Sequence, residues 1–186
     1  MYDYAKKTQG AMHRALRYVS RATDKYSSRW CCECIHVEGG EAVATNGALL
    51  ICAQLPEAME DGNYEVVRST QSVITLMPYK TEKSFISRWR EVIPNHNHYY
   101  SFSNGDLGYT WIGVLYYMAQ QEIALDPDLV LAAIPPDGEF DVYYEHECDA
   151  VVIEQEGARA AVARFNLAVN EPKTISTGET DASNVM

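Results

Sequence analysis

Trp30 to Leu55 reads WCCECIHVEGGEAVATNGALLICAQL. Two alternating apolar runs flank Glu38-Gly39-Gly40-Glu41. This is the pattern of a β-hairpin whose returning arm carries the corner Ala44-Thr45-Asn46-Gly47 and then Leu49-Leu50. On the first strand Cys32, Cys34 and His36 share one face, with Cys31, Glu33, Ile35 and Val37 on the other. Thiolates and imidazole are zinc ligands, and Cys52 would be the fourth candidate. Zinc sites usually draw ligand pairs from turns, however, and free cysteine is a common small core residue, so the face is read as packing. No metal and no other cofactor is expected. The five cysteines lack the regular spacing of a secreted disulfide scaffold, which suits reduced thiols in a cytoplasmic protein.

Ahead of the hairpin, the spacing predicts a helix over Thr8 to Thr23. Met12, Leu16, Val19 and Thr23 stack on one stripe with Ala15 and Ala22 at its edge, while Lys7, Arg14, Arg17 and Arg21 fall on the opposite side. One side suits a core and the other suits anions. The alternative is a solvated charged face, but such faces usually mix signs, and this one has no acid before Asp24. Residues 1–25 hold six basic side chains, Lys6, Lys7, Arg14, Arg17, Arg21 and Lys25, against Asp3 and Asp24. The whole chain has 15 basic and 26 acidic residues, so nine and 24 of these remain beyond residue 25, and the positive charge is concentrated at the start of an acidic protein of net charge −11. An acidic total argues against a general nucleic-acid coat without excluding a local basic surface.

The 186 residues, 47% hydrophobic and 22% charged, predict a folded globular protein. The apolar run Trp111 to Ala119 is about half the length needed to span a bilayer, and the N-terminus is charged where a signal peptide is apolar. A cytoplasmic protein with no membrane partner is expected.

Downstream of the hairpin, Gly62-Asn63 starts a strand over Tyr64 to Arg68, with Ser72 to Met77 as its antiparallel partner. Phe85 to Pro94 reads as a short helical turn that Pro94 ends, and His96 and His98 read as a polar surface loop. Tyr99 to Phe102 and Tyr109 to Met118 read as strands from their aromatic and β-branched content, although the second could be a buried helix. Asp126-Pro127-Asp128 opens a short helix that ends near Ile134. Three strands follow, Glu139 to Glu145, Ala150 to Gln155 and Ala158 to Ala168, with Phe140, Val142 and Tyr144 on the buried face of the first. The Ser/Thr/Glu-rich end, 169–186, is expected to be a disordered tail. The expected class is α+β: a single domain over 1–168, two helix-plus-antiparallel-sheet halves with a central insertion at about 79–120.

Several ordered landmarks resemble the bacterial DNA polymerase III β subunit, or sliding clamp, family. They are the helix ending Arg17-Tyr18-Val19-Ser20-Arg21-Ala22-Thr23, the Val37-Glu38-Gly39-Gly40 turn, Ala44-Thr45-Asn46-Gly47 with Leu50, and Trp89-Arg90-Glu91-Val92-Ile93-Pro94. Ala124 to Leu167 resembles the helix and three strands that close the last clamp domain. The chain departs from the pattern at Asn46, where the family has Asp, at Ala48-Leu49 in place of a His-Arg pair, and at Ala163-Arg164-Phe165 in place of Met-Pro-Met. It also has room for only one domain of clamp size. The resemblance implies a DNA clamp-like domain in which Lys7, Arg14, Arg17 and Arg21 contact the backbone of double-stranded DNA. It further implies self-association, partner contacts around Thr45, Gly47, Leu50, Val92 and Val162, and a place beside replication or repair proteins. The competing expectation is a protein-interaction module that keeps the fold without binding DNA, its apolar surface near Leu49, Leu50, Val92, Val162 and Phe165. No Gly-x-Ser-x-Gly elbow, phosphate-cradling glycine loop or His-Glu-x-x-His helix occurs, so the function expected is not enzymatic.

Overall fold

A computed structural model describes residues 1–27, 32–80, 85, 89–94, 98–103, 110–146 and 148–165. The chain begins with strand β1 (Tyr2–Ala5), helix α1 (Gly10–Val19) and a 3-10 turn at Ser20–Ala22. Strands β2 (Cys34–Glu38), β3 (Glu41–Thr45), β4 (Leu49–Gln54), β5 (Gly62–Ser69) and β6 (Val73–Pro78) follow. Next come α2 (Trp89–Val92), β7 (His98–Ser103), α3 (Thr110–Gln120) and α4 (Pro127–Ala133). The chain then closes with β8 (Glu139–Tyr144), β9 (Ala150–Gln155) and β10 (Ala158–Ala163). The ten strands form one antiparallel sheet in the order β1-β6-β5-β2-β3-β4-β10-β9-β8-β7. Strand β4 pairs with β10, Leu50 opposite Ala161, so the strands expected of two halves join in a single sheet.

Residues 34–54 form a three-stranded meander rather than one hairpin. Gly39 and Gly40, at φ 61° and 82°, make the two-residue turn between β2 and β3 that a right-twisted hairpin favours. The returning arm then breaks at its corner. The Asn46 carboxamide oxygen accepts from the backbone N–H groups of Ala48 (3.0 Å) and Leu49 (2.8 Å), and Thr45 Oγ1 accepts from Gly47 N–H at 3.0 Å. These local bonds draw backbone groups out of the ladder and turn β3 into β4.

Alternation along the strands sends Ile35, Val37, Ile51, Leu76, Val142 and Ile153 to one face, where α1, α3 and α4 cover them. Met12, Leu16 and Val19 of α1 are buried there, as the apolar stripe predicts, and so are His13 and Tyr18. The helix is shorter than the expected Thr8 to Thr23, because the chain tightens to the 3-10 turn after Val19. On the opposite face Val43, Leu50, Cys52 and Ala161 form a smaller cluster capped by Phe85 and Trp89. Arg90 holds this cap down, its guanidinium reaching Glu38 at 2.9 Å and Glu41 at 2.5 Å while stacking on Trp89 at 4.2 Å.

The strand reading of Tyr109 to Met118 is overturned: Thr110–Gln120 is helix α3. Val114 and Met118, four residues apart, point together into the core, so the relevant period is helical and tertiary packing overrides β propensity. The helix stops where Glu122 takes a positive φ of 59° and Ile123 N–H returns to the Met118 carbonyl at 2.9 Å. Strand β1, paired with β6, was not anticipated; β10 is Ala158–Ala163 with a bridge between Leu125 and Arg164 after it, and residues 166–168 of the expected strand lie outside the described residues. The start of α4 is as the sequence indicates: Pro127 takes the first turn and Asp126 accepts from Asp128 N–H at 2.8 Å. The central insertion lies partly, and the tail wholly, outside the described residues.

Candidate nucleic-acid interface

The outward side of α1 carries Arg14 and Arg17, while Lys7, expected on the same helical face, lies in the turn ahead of the helix. Lys7 and Arg14 are exposed, Arg17 is half-buried, and no described carboxylate forms an ion pair with any of the three. No acid sits in the first turn of α1, while Arg17 in its last turn complements the negative end of the helix dipole. Cations left unpaired on one helix face repel each other, so the arrangement gains free energy from an anion placed across it.

Arg21 is different. Its guanidinium donates to the Ile134 carbonyl at 2.9 Å and to that of Ala132 at 3.4 Å, closing the end of α4, and it lies 5.6 Å from the centre of the Tyr18 ring. Burial pulls its pKa below the usual arginine value, with Tyr18 opposing that shift and Arg17 adding to it. Tyr18 donates its hydroxyl to the Ala133 carbonyl, and burial raises its pKa well above the ordinary phenol range. Arg21 and Tyr18 therefore tie the end of α1 to the end of α4. That tie fixes where the basic face points.

Two clefts flank this face. One, of about 410 Å³, is bounded by Lys6, His13, Arg14, Arg17 and Arg21 with Gln71 and the Pro136-Asp137 corner. The other, of about 560 Å³, runs along Arg17, Arg21, Asp24 and Lys25 toward Val66 and Ser69. Sequence reasoning placed Lys6 and Lys25 in the basic segment without assigning them to the site. Their signal was the charge count, since neither lies in the helical repeat. Gln71, in the turn between β5 and β6, had no signal at all.

The described side chains of the expected partner surface do not share one face. Thr45 is buried in its turn, and Gly47 is exposed at φ 93°. Leu50 lies under Phe85 and Trp89, whereas Val162 is fully buried on the helix-covered face, so the two occupy opposite sides of the sheet. The side chain of Val92 lies outside the described residues. Leu49 packs in the main core, and among the described side chains of the apolar group Phe165 alone is exposed, at 56%.

The Cys/His face is occupied by packing. His36 stacks on Phe85 with ring centres 4.8 Å apart, and its Nδ1 lies 2.8 Å from the Asn63 carboxamide oxygen. Burial pushes the Cys52 thiol up to about 11. Among the described residues no group of three His, Cys, Asp or Glu side chains is placed to hold a metal ion. No described helix is long and apolar enough to cross a membrane.

Neither a protein-family model nor a curated protein matches this sequence. Solved structures do. The chain is similar to the DNA polymerase III β subunit of Thermotoga maritima, with TM-score 0.53 and 10% identity over 88% of this chain. It is also similar to a DNA polymerase sliding clamp of Pseudomonas aeruginosa (0.55, 12%, 89%) and to the DNA polymerase III β subunit of Borrelia burgdorferi (0.55, 8%, 89%). It spans 64% to 66% of the length of those chains. The fold is therefore clamp-like, at an identity that speaks for the fold alone.

Proposed function

We propose that this chain is a non-enzymatic, clamp-like DNA-binding protein of the cytoplasm, an accessory to replication or processivity that holds double-stranded DNA by its phosphates without reading bases. The observation that carries the reading is the outward face of α1. Arg14 and Arg17 stand there, with Lys7 in the turn ahead of the helix, and none of the three has an acidic partner among the described residues, on a chain whose net charge is −11. Each neutralised phosphate releases counterions and contributes about −0.9 to the log-log salt slope, so three contacts give weak, salt-sensitive binding. Useful retention then calls for several copies around the DNA. Among the described residues the sheet ends in strands β1 and β7, each paired on one side only, and open edges of this kind suit self-association. In this reading residues 1–168 act as one unit, in two helix-plus-sheet halves centred on α1 and α4, with replication or repair proteins as further partners. The corner at Thr45 and Gly47 remains the candidate partner contact.

A second reading, a clamp-fold interaction module that does not bind DNA, draws on the exposed Tyr99, Tyr100, Ile112 and Tyr116 rather than on the Leu50 region. The two readings separate in a Lys7→Glu, Arg14→Glu, Arg17→Glu variant, which leaves the Arg21 tie intact. Loss of duplex binding with retained thermal stability supports DNA contact. Unchanged duplex binding, or none in the parent protein, removes it.

A further inference from the structure

We infer that the 410 Å³ cleft between α1, the β5–β6 turn and the Pro136-Asp137 corner is a seat for a terminal phosphate group, which shares Arg14 and Arg17 with the proposed phosphodiester contacts and adds Lys6, His13, Arg21 and Gln71. Its volume is in the lower range of small-ligand sites. Lys6, Arg14, Arg17 and Arg21 bound it against a single carboxylate, Asp137, which is exposed. His13 supplies an independent sign. It is 2% exposed, its Nε2 lies 3.3 Å from the Thr70 carbonyl, and its Nδ1 is buried with no hydrogen-bond partner among the described residues. A buried polar nitrogen left unpaired costs free energy; because the Thr70 carbonyl can only accept, Nε2 carries the proton, and Nδ1 of this cleft residue pairs with a phosphate by accepting from its O–H or by donating once the ring is cationic.

The charge balance selects the ligand class. A phosphodiester brings one negative charge and two free oxygens, whereas a terminal phosphate carries about −1.5 to −2 with three strong acceptor oxygens. Four cations facing one carboxylate are better balanced by the second. Concavity agrees, because a terminal group can enter end-on where a continuous backbone would pass across the mouth. A phosphomonoester, a diphosphate and the 5′-phosphate of a DNA end share this chemistry.

The test uses the full chain at constant ionic strength. Inorganic pyrophosphate is titrated while the ring resonances of His13 are followed by NMR, and short duplexes with 5′-phosphate or 5′-hydroxyl ends are compared for affinity. Expected is a saturable shift at His13, weakened at least fivefold in a Lys6→Ala, Gln71→Ala variant that spares Lys7, Arg14, Arg17 and Arg21. A preference of several-fold for the 5′-phosphorylated duplex identifies the ligand as a DNA end. Equal duplex affinities with the His13 shift retained identify a free phosphorylated ligand in the same seat. No shift at His13, or a shift unaffected by the double variant, overturns the inference even where duplexes bind. Binding of pyrophosphate without any duplex binding instead leaves the seat standing and removes the DNA reading.

Discussion

Replacing Arg21 by Ala removes the bond to the Ile134 carbonyl at 2.9 Å, the longer one to Ala132 at 3.4 Å, and the contact with the Tyr18 ring. The two carbonyls belong to the last turn of α4, where no intrahelical donor exists, so the loss leaves acceptors unpaired in a partly buried place. A hydrogen bond from a charged donor is worth about 1.5 to 3 kcal/mol. Since one of the two is long and the guanidinium is only half-buried, the expected cost of Arg21→Ala is about 2 kcal/mol. For a chain of this size that lowers Tm by about 4 to 8 °C. Arg14→Ala, at an exposed position on the same helix, should stay within about 0.5 kcal/mol of the parent. Calorimetry of the two variants side by side decides the matter. A Tm drop in Arg21→Ala no larger than in Arg14→Ala would refute the structural role given to Arg21 and return it to the free basic face.

Trp89→Ala should lose about 3 kcal/mol in urea denaturation, the low end for a buried aromatic, because the side chain is 2% exposed over Val43, Leu50 and Cys52; a loss below about 1 kcal/mol would mean the cap is not packed as described. Burial raises the Cys52 thiol to about 11, so the folded chain favours the protonated form. Its contribution is complete below the ordinary thiol pKa and is lost as pH rises to about 11, and Cys52→Ala should flatten the alkaline stability slope between about pH 8.5 and 11. The hydrogen bond from Arg90 holds the Glu38 carboxyl below its usual pKa. That contribution is present above about pH 4.3 and lost as pH falls through the lowered value, so Arg90→Gln should move the acid unfolding midpoint upward, and an unchanged midpoint would count against the Arg90 bridge.

What could be read from the chain followed the strength of each local signal. Gly39-Gly40 leaves the meander little choice of turn, and Asp126-Pro127-Asp128 combines a cap, a fixed φ and a dipole partner at one helix start. The single α1 stripe placed Met12, Leu16 and Val19 correctly, but periodicity alone could not show that Tyr18 and Arg21 reach across to α4, more than 100 residues away. Thr110 to Gln120 misled because aromatic and branched residues suit a strand, while the decisive contacts, with β7 and α4, are not local. The same limit applies to Leu50 and Val162. Both look like surface candidates by family position, yet strand parity within a shared sheet buries them on opposite faces. The basic face was legible because charge needs no tertiary knowledge to be counted, whereas the cleft beside it joins Lys6, His13, Gln71 and Asp137 from separate parts of the chain.

Duplex affinity measured from 50 to 200 mM salt, for the parent chain and the Lys7→Glu, Arg14→Glu, Arg17→Glu variant, tests the central claim most directly. Three phosphate contacts predict a log-log slope of about −2.7, which is about a 40-fold loss across that range, and a slope near zero with little residual binding in the variant. A parent slope near zero, or the same slope in both proteins, would contradict the assignment of DNA contact to α1.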